Sequence, residues 1–234
     1  MSIIDKSKKK YNHSVADREL TFNPADILAH VRRTPTTPNS LSADQKIELI
    51  EKNFREILTT LGMDLTNDSL EKTPHRIAKM YVRELFQGLD EASFPRITVI
   101  ENEMEYDQMV VVKDVAIIST CEHHFATIHG RANIAYIPKR RVIGLSKINR
   151  VARYFSRRPQ VQERLTRQIA DCLSYVLDTE NVAVHIAAKH YCVISRGIED
   201  VGSSTSTSDL RGAFRDDPKT RTEFMATLST HDES

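Results

Sequence analysis

Two short segments carry the side chains able to do chemistry: Cys121-Glu122-His123-His124 and, much later, His190-Tyr191-Cys192. Together they offer two thiols and three imidazoles. Cysteine sulfur and histidine nitrogen suit zinc, and an ion held by three protein ligands keeps a fourth corner for a water whose pKa falls to about 7. That is the equipment of metal-assisted hydrolysis. Cys-x-x-His at the end of a β-rich run lets Cys121 and His124 reach one ion while His123 faces elsewhere. Cys121, His124 and Cys192 are therefore the expected Zn2+ ligands, and His123 and His190 are left to move protons near neutral pH. The rival is a closed structural site with His123 or His190 as fourth ligand, although the spacing is neither a repeated Cys-x-x-Cys nor a compact finger.

These residues must be positioned by strands. Residues 181–194 are rich in β-branched side chains and lack Gly and Pro, which predicts one strand. Side chains two apart share a strand face, so His190 and Cys192 would point the same way, with Arg196 beyond them. A second run, 109–120, leads into Cys121, and 97–104 and 125–137 are also expected as strands, with a turn or bulge at His129-Gly130. Helices are predicted from Ser42 to Leu61, ended by Gly62, and from Thr73-Pro74, with Thr73 as N-cap. The first carries Ile47, Ile50, Phe54, Ile57 and Leu61 on one face. Two more run from Ser146 to about Arg157 and from about Pro159 to Leu177, and another spans 219–228. Cys172 falls in the helical stripe Leu165, Ile169, Cys172, Val176, which makes it core. The 202–208 segment is read as a strand.

The chain has 234 residues, 33 basic against 32 acidic, and is 40% hydrophobic. Near-zero net charge gives no whole-protein footprint for nucleic acid, and no apolar run is long enough for a membrane span. The N-terminus is polar and lysine-rich without an apolar signal core, so a cytoplasmic protein is expected. Three cysteines in a reducing compartment read as ligands or core thiols rather than disulfides. The expected organisation is a flexible, proline-punctuated arm at 1–40, a helical region at 41–95 and a catalytic domain at 96–234.

Gly144-Leu145-Ser146-Lys147-Ile148-Asn149-Arg150 reads as a strand-to-helix turn with Ser146 as N-cap, and Lys147 and Arg150 one turn apart. Free N–H groups at a helix start and two cations suit phosphate, as does a plain capped helix with solvated charges. The pattern is not a Walker A loop. Arg76, Lys79 and Arg83 form a basic stripe on their helix, ordinarily a solvated face. Glu163, in the first turn of its helix, either favours the helix dipole or accepts paired hydrogen bonds from guanine; both readings stand on the residues alone.

Ser119-Thr-Cys-Glu-His-His-Phe125, Ile143-Gly-Leu-Ser-Lys-Ile-Asn-Arg150, Arg158-Pro-Gln-Val-Gln-Glu-Arg-Leu-Thr166, His190-Tyr-Cys192 and Thr73-Pro-His-Arg-Ile-Ala-Lys-Met-Tyr81 together resemble GTP cyclohydrolase I, from about Ser42 to the end. The resemblance implies hydrolytic opening of the guanine imidazole ring of GTP, release of formate and formation of 7,8-dihydroneopterin triphosphate. It implies an α+β tunnelling fold, an antiparallel sheet with helices on one face, whose subunits build a β-barrel in a homodecamer of two pentamers. It further implies zinc on Cys121, His124 and Cys192, and Glu163 as guanine anchor with Gln162 and Leu145 near the base. Ser146, Lys147, Arg150 and Arg196 would take the triphosphate, with Lys79 and Arg76 supplied across a subunit interface. Two other possibilities remain at this stage: a pterin or deazapurine enzyme sharing the fold, and a non-catalytic zinc-stabilised module.

Overall fold

The computed structural model describes residues 19–228. The expected arm is only partly among them, and within it residues 20–34 make packing contacts while 35–40 are exposed. Leu20–Thr21 (β1) pairs with Thr98–Glu101 (β2), and Pro24–His30 (α1) buries Ile27 at 1% exposure. The backbone N–H of Arg32 donates to Asp171, and Thr34 Oγ1 accepts from Arg158 and Gln168. Apolar residues at 27 and 31 were outvoted in the sequence by the Thr/Pro stretch that follows them; residues 1–18 lie outside the described part.

Ala43–Thr60 (α2) starts on a reciprocal cap in which the Ser42 hydroxyl accepts from Gln45 N–H at 3.2 Å and the Gln45 side chain accepts from Ser42 N–H at 2.8 Å. Such a cap stabilises a helix by about 1 kcal/mol. Gly62, at φ +80°, ends it in a conformation that glycine adopts without a Cβ penalty. Thr73–Met80 (α3) begins one residue earlier than expected, with Lys72 as an N-cap lacking a side-chain bond. It runs on into a π-helical turn, Tyr81–Leu85. The predicted apolar face of α2 exists but is not buried within the chain: Ile57 is 48% and Leu61 71% exposed.

The body is a five-stranded sheet in the order β6-β3-β4-β7-β8. Val110–Cys121 (β3), Thr127–Tyr136 (β4), Val182–His190 (β7) and Thr205–Leu210 (β8) are antiparallel, and the two-residue β6 (Pro159–Gln160) lies parallel to β3. Arg141–Ile143 (β5) joins β1 and β2 in a small second sheet. Leu145–Ser156 (α4) and Gln162–Leu177 (α5) cover one sheet face. Phe155, Leu165, Ile169, Cys172 and Leu173 meet Ile117, Ile134 and Val184 there with no solvent exposure. Each such side chain contributes about 1.5–3 kcal/mol on burial. Helices are not confined to that face. Ala213–Asp216 (α7) and Pro218–Ala226 (α8) place Phe214 and Phe224 against Ala135 and Ala183 on the other.

Three expectations about this body are corrected. The 159–177 segment splits into β6 and α5, because Gln160 is drawn beneath α4, its amide donating to Phe155 O and to Gln168. Gly130 makes no turn or bulge: it pairs in register with Ile117 and Ala188, where strands approach too closely for a Cβ. The register shift sits instead in β3 between Val112 and Val115, with Asp114 at φ +57°. The third concerns the strand expected over 181–194. It stops at His190, opposite Ile128, since β4 begins at Thr127 and offers almost no further partner. Tyr191–Ile194 then forms a helical turn, α6. Among the described residues no helix is long and apolar enough to cross a membrane.

Candidate metal centre and substrate site

The strand register collects the chemistry at one end of the sheet. Ser119 of β3 faces Ile128 of β4, which faces His190 of β7, so Cys121 and His190 end the two strands that flank β4. After Cys121 the chain turns sharply, Phe125 N–H donating to Cys121 O at 2.9 Å and Cys121 N–H to Ala126 O at 2.8 Å. Phe125 takes φ +52°, unusual for a bulky residue and costing on the order of 1–3 kcal/mol. Its ring rests against Tyr81 and Phe86 at centroid distances of 6.0 and 5.3 Å, which offsets part of that cost.

The turn delivers His124 to Cys121, and α6 delivers Cys192 to both. One ligand atom from each of Cys121, His124 and Cys192 lies within 4.8 Å of the other two. Ligands around a tetrahedral zinc sit about 3.5–3.8 Å apart, so a small contraction closes the set. The donors fit the ion by type, number and spacing. Burial, followed by the neighbouring Cys121 thiol, pushes the Cys192 thiol up, which leaves it protonated until a cation displaces the proton. The expected shared strand face was the wrong route to this pairing: Cys192 arrives on a helical turn. Arg196 lies just beyond that turn, and its Nη1 is 3.0 Å from His124 Nε2.

His123 does not turn away from the cluster as expected. Its Nδ1 sits 3.7 Å from Cys121 Sγ, while the ring is exposed. His190 is half-buried, and its Nε2 lies 2.8 Å from Gln162 Oε1. Burial lowers its pKa, and the Glu163 charge nearby opposes the fall. Glu163 is exposed in the first turn of α5, whereas Gln162 is 1% exposed and hydrogen-bonded on all sides.

Around the start of α4 the structure shifts the expected cap. Gly144, not Ser146, is the N-cap, because Lys147 N–H already donates to Gly144 O at 2.8 Å. Leu145, Ser146 and Arg150 are exposed, and Lys147 Nζ donates to Arg96 O at 3.2 Å. Arg76 and Lys79 stand exposed on α3, in a hairpin packed chiefly on α2.

Two participants escaped the sequence reading. Arg164 grips the Glu122 carboxylate bidentately, tying the metal-binding turn to α5, and that hydrogen-bonded ion pair holds Glu122 below the usual carboxylate range. Neither residue carried a local signal. The strained Phe125 had none either.

Known proteins bear on this arrangement. A family model described as GTP cyclohydrolase I matches residues 50–229. The chain is 54% identical over 211 residues to the protein named GTP cyclohydrolase 1 of Aeromonas hydrophila subsp. hydrophila, covering 90% of this chain and 97% of that one. To its namesake in Vibrio parahaemolyticus serotype O3:K6 it is 58% identical over 192 residues, 82% of this chain and 88% of the other. The one in Tolumonas auensis is 55% identical over 193 residues, covering 82% and 89%. The matched span holds the Cys–His–Cys cluster together with both flanking histidines, and on this similarity the chain belongs to the GTP cyclohydrolase I family.

Proposed function

We propose that this protein opens the guanine imidazole ring of GTP with one water, releases C8 as formate and yields 7,8-dihydroneopterin triphosphate. The observation that carries the reading is the convergence of Cys121, His124 and Cys192, with His123 and His190 beside them, in a chain of this family. Those three ligands would hold zinc, which supplies a Lewis acid that makes water acidic near neutral pH.

The protein's own residues do the rest. Glu163, exposed beside His190, accepts the ring N–H and exocyclic amine of guanine, a match of two carboxylate oxygens to two donors. Ser146, Lys147, Arg150 and Arg196 take the triphosphate, and Leu145, 59% exposed, offers the base an apolar contact. Arginine only donates, so in its present contact Arg196 occupies the Nε2 lone pair of His124. A ligating His124 either offers that lone pair to the ion or carries its proton there. Both displace Arg196 and release it toward an anion. His190 is assigned the proton that goes to N7 of the purine, and His123 the proton movements of ring opening and ribose rearrangement, since imidazole gives and takes protons near neutrality.

The fold and assembly belong to the same proposal: a tunnelling fold, strands of several subunits closed into a barrel, and a homodecamer of two pentamers in the cytoplasm. Exposed Leu49 and Ile57 on α2, Leu61 at its C-cap and Met63 beyond it support a subunit contact there, because apolar surface gathered on one hairpin marks an interface. Such a contact would carry Arg76 and Lys79 into a neighbour's site.

Purified protein incubated with GTP, with formate and a fluorescent oxidised pterin as readouts, tests the activity. Zinc-loaded protein that yields no formate overturns it. Cys121→Ser and Cys192→Ser should lose zinc and turnover yet remain folded oligomers, while His123→Ala should keep zinc and lose at least ~100-fold in rate. Unfolding of the cysteine variants would instead mark a structural ion.

A further inference from the structure

Gln162 was expected beside the substrate's base, yet its side chain is fully engaged inside the protein. The two N–H groups of the amide nitrogen are shared among three acceptors, Ile186 O at 3.0 Å, Thr205 O at 2.9 Å and Thr207 Oγ1 at 3.1 Å. Two of those acceptors are backbone carbonyls, which cannot donate. A flipped amide would set its oxygen against both. The hydroxyls agree: Thr166 Oγ1 donates to Gln162 O at 2.8 Å, which leaves Thr207 to donate to Thr166 at 2.6 Å and to accept from the amide. The direction of the whole ring is determined by donor and acceptor identity alone, so Gln162 Oε1 must be the atom that faces His190 Nε2, 2.8 Å away.

An oxygen that can only accept requires a donor opposite it. We infer that Gln162 is a positioning residue that holds His190 in the orientation with its proton on Nε2 and so makes Nδ1 the nitrogen through which that ring reacts. The inference rests on the assignment of His190 as proton donor above and adds which atom performs it. The donating form is the imidazolium, protonated on both nitrogens: in the transfer the Nδ1–H bond breaks, its electron pair stays on Nδ1, the proton forms the N–H bond at purine N7, and the ring is left neutral with Nε2–H untouched. The anchors lie on β7 and β8 and within α5, so the ring is oriented by the sheet and helix together.

Neutron diffraction from D2O-exchanged crystals of the zinc-loaded protein reads the proton positions directly. Deuterium on His190 Nε2, with both amide deuterons of Gln162 toward Ile186, Thr205 and Thr207, is the expected map. Deuterium on Nδ1 alone, or a reversed amide, overturns the inference. Kinetics supply the second measurement: Gln162→Leu should lower kcat about 10- to 100-fold while KM for GTP changes less than about twofold and zinc content is unchanged. A raised KM with intact kcat would return Gln162 to the base-binding set and sink the idea. If that variant does not fold, the map on the unaltered protein still decides. The map needs no turnover, so failure to act on GTP would count against the proposed activity alone.

Discussion

Arg164 holds Glu122 by two hydrogen bonds, 2.6 Å from Nη1 to Oε2 and 3.1 Å from Nη2 to Oε1, between residues 42 positions apart. Both side chains are largely shielded, at 15% and 24% exposure. The pair fastens the residue after Cys121 to the first turns of α5, the helix that also carries Gln162 and Glu163. One ion pair thus sets the turn that carries Cys121 and His124 and the helix that carries Gln162 and Glu163 in a common frame.

Removing that pair should loosen the ligands without deleting one. Outer groups that orient metal ligands typically contribute 10- to 100-fold in affinity. Arg164→Ala is expected to weaken zinc binding by about that factor, measured by competition with a chromophoric chelator, and Arg164→Lys to recover only part because it lacks the bidentate fork. Unchanged affinity in Arg164→Ala would show the turn to be held by its backbone bonds alone.

The exposed cation at the start of α4 is assigned to the triphosphate. A charge-assisted hydrogen bond contributes about 1.5–3 kcal/mol, equivalent to roughly 10- to 100-fold in binding. Arg150→Ala should raise KM for GTP by that factor and change kcat less than about threefold, since the contact is present in substrate and transition state alike. Steady-state kinetics over a GTP series tests it, and a large fall in kcat at constant KM would place Arg150 in the chemistry instead.

Gly130 is a prediction about the fold. A Cβ built there collides with the Ala187 carbonyl oxygen and lies 2.5 Å from Ala188 Cα, so the β4–β7 pairing behind His190 must spread. Gly130→Ala should destabilise by about 3 kcal/mol, a fall of roughly 6–12 °C in Tm for a chain of this size, by calorimetry. A Tm within a degree of the parent would mean that the strands yield freely.

Acid should weaken the cap of α8. Asp217 accepts from Thr220 Oγ1 at 2.6 Å, Thr220 N–H and Lys219 N–H, and these bonds, the Thr220 hydroxyl first, hold its carboxyl below the usual range. A depressed folded value means that the added stability is complete above the unfolded pKa, about 3.9, and is lost as pH falls through the folded one. Asp217→Asn keeps a capping oxygen but does not titrate. The urea midpoint of the parent relative to this variant should be constant above about pH 4 and decline below it; a flat difference down to pH 2 would remove Asp217 from the acid response.

Much of the site was legible in the chain because its parts are local. Cys121 and His124 share one turn, Ser42 stands at a helix start, and Leu165, Ile169 and Cys172 lie on one helical face, and short-range spacing determines each of these. What the spacing could not give was contact across the sheet. Cys192 was matched with Cys121 through an extended strand, whereas it arrives on a helical turn, since whether β7 continues past His190 depends on where β4 begins. The Gln162–His190 and Glu122–Arg164 bonds join residues that no periodicity relates, and the packing of residues 19–34 depends on Asp171 and Gln168 far along the chain. Residue types and their near-neighbour order pointed to metal-assisted hydrolysis and to Cys121, His124 and Cys192 as a set, because bonding preference and backbone period are local properties. Which atom of each side chain meets which partner came only with the folded strands and helices, because that depends on register and on buried donors finding acceptors.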